Sequence, residues 1–177
     1  MNGWFRRGAL LALGGMLGLS GCVKREPSIP AVVNAFRQGE QVNLVLPKWP
    51  EGSHDLAQDR GSVVLLDVWA TWCEPCRDAL PVYEQLQRQY GDQGLRVYAI
   101  NMDEDPRQIE PFVRDTKVQL PILREQDGRV ESSLGVRLMP TSFILDRQGR
   151  LRHRHEGFNE AMVQKYQQEI EALLSER

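Results

Sequence analysis

The sequence predicts an α/β fold in which helices cover both faces of a mixed central sheet. Two observations carry this prediction. Strand-like and helix-like segments alternate in the first part of the domain, which is typical of parallel crossovers, and an antiparallel hairpin and a last helix follow. The chain has 177 residues, 41% hydrophobic and 26% charged, and a net charge of −2. This composition suits one globular domain with a short extra segment. It excludes a strongly basic nucleic-acid binder, so no nucleic-acid partner is expected.

The N-terminal residues have the features of an export signal. Arg6 and Arg7 precede an apolar stretch over residues 8–19 that is too short to span a bilayer. The stretch ends in Leu-Ser-Gly before Cys22, a pattern that resembles the bacterial lipobox, in which the cysteine is lipid-modified and becomes the new N-terminus. The alternatives are an ordinary signal peptide that contains a cysteine and, from the arginine pair, twin-arginine export.

Lipidation at Cys22 sets the expected domain organisation. It explains the odd number of cysteines, because Cys73 and Cys76 then remain as a pair. The mature protein would lie outside the cytoplasm, anchored to a membrane by acyl chains, and it would face the periplasm in a Gram-negative cell. The predicted segments are a lipoprotein signal peptide at 1–21, a lipid-anchored tether at 22–40 and a globular domain at 41–177.

The first strands are predicted from apolar patterns. Residues 42–46 alternate apolar and polar side chains, which predicts an edge strand, and residues 47–61 are rich in turn formers. Residues 63–69 form an almost continuous apolar run that only Asp67 interrupts. This run predicts a central strand that is buried on both faces.

The later elements follow from the same reasoning. Apolar residues three to four positions apart predict helices, and short apolar runs between turn residues predict strands. Asp103 and Asp105 are candidate caps of the second helix, and Asn159 is the candidate cap of the last one. The helices are predicted at 73–90 (kinked at Pro81), 106–117 and 159–174, and the strands at 95–102, 141–145 and 150–156.

A Cys-x-x-Cys motif lies between the predicted central strand and the helix that follows it. At the first turn of a helix, free backbone N–H groups and the helix dipole stabilise a thiolate, which is the nucleophile in disulfide exchange. We therefore expect Cys73, at the helix start, to be exposed and to attack a substrate disulfide. We expect Cys76, one turn further, to be buried and to resolve the mixed disulfide.

Two other interpretations of this motif stay open. A purely structural disulfide would close a very small loop and add little stability. A metal site would need more ligands, and the chain has only three histidines. His153 and His155 form a His-x-His pattern, which is more typical of a solvated hairpin face than of a metal site, and His54 lies far from them in the sequence.

Two stretches of the chain resemble the thioredoxin superfamily. They read V-V-L-L-D-V-W-A-T-W-C-E-P-C at 63–76 and G-V-R-L-M-P-T-S-F-I-L-D at 135–146. The most similar branch is that of the extracytoplasmic TlpA/ResA-type thiol–disulfide oxidoreductases, and the resemblance covers about residues 40–175. It implies a thioredoxin fold with an N-terminal strand extension and a redox-active pair at Cys73 and Cys76. It implies no small cofactor besides that pair.

The resemblance also implies roles for residues around the pair. Pro140 would follow a cis peptide bond and expose the backbone of Met139 as an edge with which a substrate segment can pair. Asp67 would be a buried general base for Cys76, the alternative being a strand-end Asp bonded to nearby backbone. The sequence departs from the family at Ala99 and Ala79, where relatives can carry a lysine and an acid.

The predicted substrate-binding residues surround the motif. We expect Trp72 to form an apolar platform and Trp69 to belong to the core. The segment 103–105 is expected to be a solvated cap rather than a recognition patch. The substrate-binding residues are predicted to be Trp72, Glu74, Pro75, Met139 and Thr141.

The residues between the cysteines indicate the direction of electron flow. A carboxylate at Glu74 disfavours the Cys73 thiolate and so favours a reductant. We therefore expect a reductase of disulfides in envelope proteins, apocytochrome c being one candidate client. Its electrons would come from a membrane donor protein, because the chain has no glycine-rich nucleotide-binding loop. The alternatives are a thiol oxidase or isomerase on the same fold and a metal-carrying module that uses the two cysteines and His155.

Overall fold

A computed structural model describes residues 36–176. The predicted signal peptide, Cys22 and most of the predicted tether lie outside the described residues. No helix within 36–176 combines the length and the apolar character that crossing a bilayer would require. The strands and α-helices of this part are β1 (Val45–Trp49), β2 (Ser53–Asp55), β3 (Val63–Trp69), α1 (Glu74–Tyr90), β4 (Leu95–Asn101), α2 (Ile109–Thr116), β5 (Ile122–Arg124), α3 (Arg129–Leu134), β6 (Thr141–Leu145), β7 (Leu151–Glu156) and α4 (Val163–Ser175).

The strands form one mixed sheet in the order β2-β1-β5-β4-β3-β6-β7. The neighbours β3, β4 and β5 run parallel, whereas β6 is antiparallel to β3, and β7 to β6. This topology confirms the predicted α/β fold with a mixed central sheet. It also confirms β3 as a central strand, since all its residues are buried and it pairs on both sides.

Two apolar clusters cover the two faces of the sheet. Side chains alternate across a strand, so Val63, Leu65 and Trp69 of β3 lie on one face, and Val64, Leu66 and Val68 lie on the other. The first face is covered by buried residues of α1, α2 and α4, and the second by those of α3 and of the segment 42–46. Asp67 therefore belongs to the face that α1 and α4 cover.

The N-terminal strand region differs from its prediction. The strand begins at Val45 rather than at residue 42, and it lies between β2 and β5, so β2 is the edge strand. Val42 precedes the strand and is fully buried in the apolar cluster of the second face. Its N–H donates to the Gly149 carbonyl. The end of the predicted tether also contacts the domain: the N–H of Phe36 donates to the Ser133 carbonyl and that of Gly39 to the Leu151 carbonyl.

The first residues of α1 and α2 agree in part with the predicted capping residues. Cys73 is the N-cap of α1, with Pro75 in the first turn, and Pro81 lies inside the helix. A short 3-10 turn from Pro106 precedes α2, and the Asp105 side chain caps it by accepting from the N–H of Arg107. The cap at Asp105 is thus confirmed.

Candidate active site

Cys73 and Cys76 meet where β3 ends and α1 begins. Their sulfurs form a disulfide, with the Cα atoms 5.4 Å apart. Cys76 is fully buried, as predicted, and its N–H donates to the Cys73 carbonyl. The expectation of an exposed Cys73 was wrong in degree, because only 5% of the residue is accessible. Cys73 therefore has only a small open side.

That open side faces a groove of about 730 Å³. The groove joins the Cys-x-x-Cys segment to the segment before Pro140. Two large apolar side chains in its lining are exposed, Trp72 at 70% and Leu138 at 52%, and charged residues such as Glu74 line it as well. Trp69, by contrast, is buried in the core and stacks on Phe112, as predicted. Of the five predicted substrate-binding residues, the groove brings together Trp72, Glu74, Pro75 and Met139.

The peptide bond between Met139 and Pro140 is cis, as predicted. Within the described residues, no hydrogen bond engages the N–H or the carbonyl of Met139. The fifth predicted substrate-binding residue, Thr141, is fully buried, and its hydroxyl donates to the Leu138 carbonyl at 2.5 Å. Thr141 therefore shapes the turn before Pro140 and does not line the groove.

Asp67 is fully buried in the middle of β3. Neither carboxylate oxygen has a hydrogen-bond partner among the described residues, so the alternative of an Asp bonded to nearby backbone is not what the structure shows. Burial holds the pKa of this carboxyl well above its usual value, and the Tyr83 hydroxyl acts in the opposite direction. Ala99 is the direct neighbour of Asp67 on β4, and Ala79 is buried in α1, so neither position adds a charge.

Asp103 is a buried anchor of the site that the sequence did not predict. It was expected to be solvated, but its carboxylate accepts from the Thr71 N–H at 3.0 Å and from the Thr71 hydroxyl at 3.0 Å. The Asn101 amide donates to it at 2.6 Å. These bonds fix the loop that carries Trp72 and Cys73. The only sequence signal was the position of Asp103 just after a parallel strand.

His155 also differs from its prediction, because it is buried rather than part of a solvated face. Its ring nitrogen Nε2 lies 2.6 Å from a carboxylate oxygen of Glu169 on α4, and His153 Nδ1 lies 3.3 Å from the other oxygen. Burial lowers the pKa of His153. Residues 36–176 contain no group of three or more His, Cys, Asp or Glu side chains arranged to hold a metal ion.

Comparison with known proteins agrees with the fold and identifies the family. The sequence matches the AhpC/TSA family over residues 39–154. It is 34% identical to the thioredoxin-like protein YneN of Bacillus subtilis, over 69% of this chain and 73% of that protein. It is 32% identical to the thiol-disulfide oxidoreductase ResA of Halalkalibacterium halodurans, over 76% of this chain and 77% of that protein.

A solved structure is similar along its whole length. The crystal structure of a DsbE-type thiol:disulfide interchange protein from Chlorobium tepidum superposes with a TM-score of 0.75. The two sequences are 33% identical, and the match covers 80% of this chain and 100% of the other. For two ResA proteins of Bacillus species, the match spans 65% of their length.

Proposed function

The chain belongs to the AhpC/TSA family and is a thiol–disulfide oxidoreductase of the ResA/DsbE type, and we propose that it reduces disulfides of extracytoplasmic client proteins. One observation carries this proposal above the others. The Cys73–Cys76 disulfide opens α1 and borders a groove whose far wall is the segment before the cis Pro140. A nucleophile, a resolving thiol and a surface for a substrate chain are thereby combined.

The reaction begins with the reduced pair. The Cys73 thiolate, stabilised by the free N–H groups of the first turn of α1, attacks one sulfur of the client disulfide. A bond forms between Cys73 and that client sulfur, and the other client sulfur leaves as a thiolate that takes up a proton. Cys76 then attacks the Cys73 sulfur and releases the first client sulfur. Two electrons pass from the protein to the client, and the Cys73–Cys76 disulfide remains.

Asp67 is the proposed base for the second step. Cys76 must lose its proton before it can attack, and it is fully buried, so bulk water is a poor acceptor. The Asp67 carboxyl lies on the sheet face that α1 covers, and its buried setting raises its affinity for a proton. The proton would move from the Cys76 sulfur to a carboxylate oxygen of Asp67.

The groove supports the binding of an extended client segment. No hydrogen bond from residues 36–176 engages the N–H or the carbonyl of Met139, so both can pair with the client backbone in the manner of an added strand. Trp72 and Leu138 offer apolar surface on either side of Cys73. We propose that backbone pairing at Met139 fixes the client and that these two side chains select apolar residues next to its cysteine.

The direction of transfer and the cellular setting are part of the proposal. Glu74 lines the groove beside Cys73, and a carboxylate there disfavours the thiolate and hence favours giving electrons to a client. Lipidation at Cys22 would hold the protein at a membrane, close to a membrane donor of electrons. Clients would be disulfide-containing envelope proteins, of which apocytochrome c in cytochrome c maturation is one example.

The reduction potential of the full chain tests the proposal. Equilibration with glutathione or dithiothreitol, with Cys73→Ser as the control, is expected to give a potential below about −230 mV, as for thioredoxin-like reductants. A potential above about −150 mV would overturn the reductase assignment and make the protein a thiol oxidant. The absence of a reversible Cys73–Cys76 disulfide would remove the enzymatic function altogether.

A further inference from the structure

A stripe of polar side chains crosses the apolar core beneath α1 and α4. Ser142 on β6 is the direct cross-strand partner of Asp67 on β3 and of His155 on β7. Directly opposed residues project their side chains to the same face, about 5 Å apart. All three residues are buried, so the stripe runs from the middle of the sheet toward its β7 edge inside the core.

Two tyrosines from the covering helices complete the stripe. The hydroxyl of Tyr83 on α1 donates to the hydroxyl of Tyr166 on α4 at 3.0 Å. The Tyr166 hydroxyl and the Ser142 hydroxyl lie 2.6 Å apart, and either can be the donor. Both tyrosines are fully buried, and their rings pack edge-to-face. Three hydroxyl groups therefore form a continuous chain that has no access to solvent.

Such a chain has two directions, because each hydroxyl can donate one proton and accept another. In the direction that the structure shows, the Tyr83 hydroxyl donates its hydrogen bond to Tyr166, and the Asp67 carboxylate accepts none from residues 36–176. In the opposite direction, Ser142 donates to Tyr166, Tyr166 donates to Tyr83, and Tyr83 donates to Asp67. No hydrogen bond joins the Tyr83 hydroxyl to the Asp67 carboxylate in the structure, so the reversal needs rotation about three C–O bonds and a shift that brings these two groups together, but no bond to hydrogen breaks.

We propose that Tyr83, Tyr166 and Ser142 form a reversible hydroxyl chain whose direction follows the protonation state of Asp67. When Asp67 carries a proton, Tyr83 donates to Tyr166. When Asp67 has given up its proton, the chain reverses and Tyr83 donates to the carboxylate. Tyr83 and Tyr166 are then positioning residues that set how firmly Asp67 holds a proton. Their place in the catalytic cycle rests on the proposed role of Asp67 as the base for Cys76.

The other titratable groups on this face of the sheet contact one another. They are Cys76, Tyr83 and Tyr90 on α1, Tyr166, Glu169 and Glu171 on α4, and His153 and His155 on β7, and the position next to Asp67 on β4 is an alanine. Glu169 and His155 are paired with each other at 2.6 Å. Burial raises the pKa of both Tyr83 and Tyr166, so the hydroxyls keep their protons while Asp67 titrates.

Two conservative variants give opposite expectations. Tyr83→Phe removes the hydroxyl that lowers the pKa of Asp67, so this pKa is expected to rise. Tyr166→Phe removes the group that accepts the hydrogen bond of the Tyr83 hydroxyl. That hydroxyl can then donate to Asp67 instead, so the pKa of Asp67 is expected to fall. One net hydrogen bond corresponds to a displacement of about one pH unit in each direction. The probe is the carboxyl carbon signal of Asp67, followed by NMR in the oxidised full chain, in which the cysteines do not titrate.

A third variant controls for the loss of a buried tyrosine hydroxyl. The Tyr98 hydroxyl donates to Asp59 at 2.8 Å on the other face of the sheet, so Tyr98→Phe is expected to leave the Asp67 titration unchanged. Circular dichroism verifies that each variant is folded. Displacements of the same sign in Tyr83→Phe and Tyr166→Phe, or none in either, would overturn the hydroxyl chain, because general loosening of the core does not give opposite signs.

A second readout separates this inference from the proposed function. The rate at which Cys76 resolves a mixed disulfide is measured against pH for the full chain and its variants. Its midpoint is expected to move up in Tyr83→Phe and down in Tyr166→Phe. If Asp67→Asn leaves this pH profile unchanged, the role of Asp67 as base is wrong, whereas the hydroxyl chain is judged by the NMR titration alone.

Discussion

Asp67 is expected to make the fold less stable as the pH rises. Its carboxyl is fully buried without a hydrogen-bond partner among residues 36–176, and burial holds its pKa well above the usual value. The native protein therefore binds a proton at pH values where the unfolded chain has already released it. This contribution to stability is fully present below the unfolded-state pKa, about 4, and is lost as the pH rises through the folded-state pKa.

Replacement of Asp67 by Asn removes this pH dependence of stability, so the magnitude of the Asp67 contribution can be measured. One proton difference between the native and unfolded states changes the unfolding free energy by about 1.4 kcal/mol per pH unit. The unfolding free energy of Asp67→Asn minus that of the wild type should therefore grow at this slope above about pH 4. The difference should level off at the folded-state pKa. Any constant cost of burying the amide does not alter the slope.

The assay is urea unfolding of the oxidised full chain at a series of pH values, with Asp146→Asn as the matched control. Asp146 is also buried, but it accepts hydrogen bonds from the backbone N–H groups of Gln148 and Arg150 and from the Arg150 side chain. Burial alone would raise its pKa, yet these bonds hold the pKa of Asp146 below the usual value. Its stabilisation is lost only as the pH falls through that lowered pKa, so its difference curve should be flat above about pH 5. Parallel curves for the wild type and Asp67→Asn would refute the reasoning.

Three further variants probe the site. Asp103→Ala leaves buried donors of the loop before Cys73 without an acceptor, so urea unfolding should show a loss of about 3 kcal/mol, against about 1 kcal/mol for the exposed cap variant Asp105→Ala. Trp72→Ala removes an exposed side chain, so stability should change by less than about 0.5 kcal/mol, while the KM for a disulfide-containing peptide rises several-fold. Cys76→Ser should accumulate a mixed disulfide with the client that mass spectrometry detects, and the same substitution at Cys73 should not.

The long elements of the fold were readable from the sequence because their patterns are strong. The almost unbroken apolar run of β3 requires burial on both faces, and the helical spacing of Leu80, Tyr83 and Leu86 fixes the buried face of α1. The same holds for Tyr166, Ile170 and Leu173 of α4, which are all buried. The local residue pattern determines each of these elements, and the sheet then forms as they pack together.

The short elements could not be read in the same way. β2 and β5 have three residues each and α3 has six, which is too short for a periodic signal. β5 exists as a strand because β4 pairs with it on one side and β1 on the other. Strand β2 consists of Ser, His and Asp, which have low strand propensity, and it is held by its pairing with β1.

The site residues likewise differ in whether the sequence predicts them or whether they depend on partners distant in the sequence. The Cys-x-x-Cys motif is a local feature and was predicted as such, and the cis bond before Pro140 was predicted from the resemblance that this motif supports. The burial of Asp103 and of His155 was not, because their partners Thr71 and Glu169 are distant in the sequence. A sequence shows that an acid is present, but only the fold shows which donors surround it.

The hydroxyl chain explains why the core face beneath α1 and α4 tolerates polar groups that the fold does not need. Phenylalanine at positions 83 and 166 would fill similar space without the need to satisfy two buried hydroxyls. Those hydroxyls gain their value next to Asp67, a carboxyl that destabilises the native state at neutral pH but has the proton affinity a buried base requires. Because Ala79 and Ala99 offer no second acid and no lysine, the control of that affinity falls to neutral dipoles, which can reverse without charging the core.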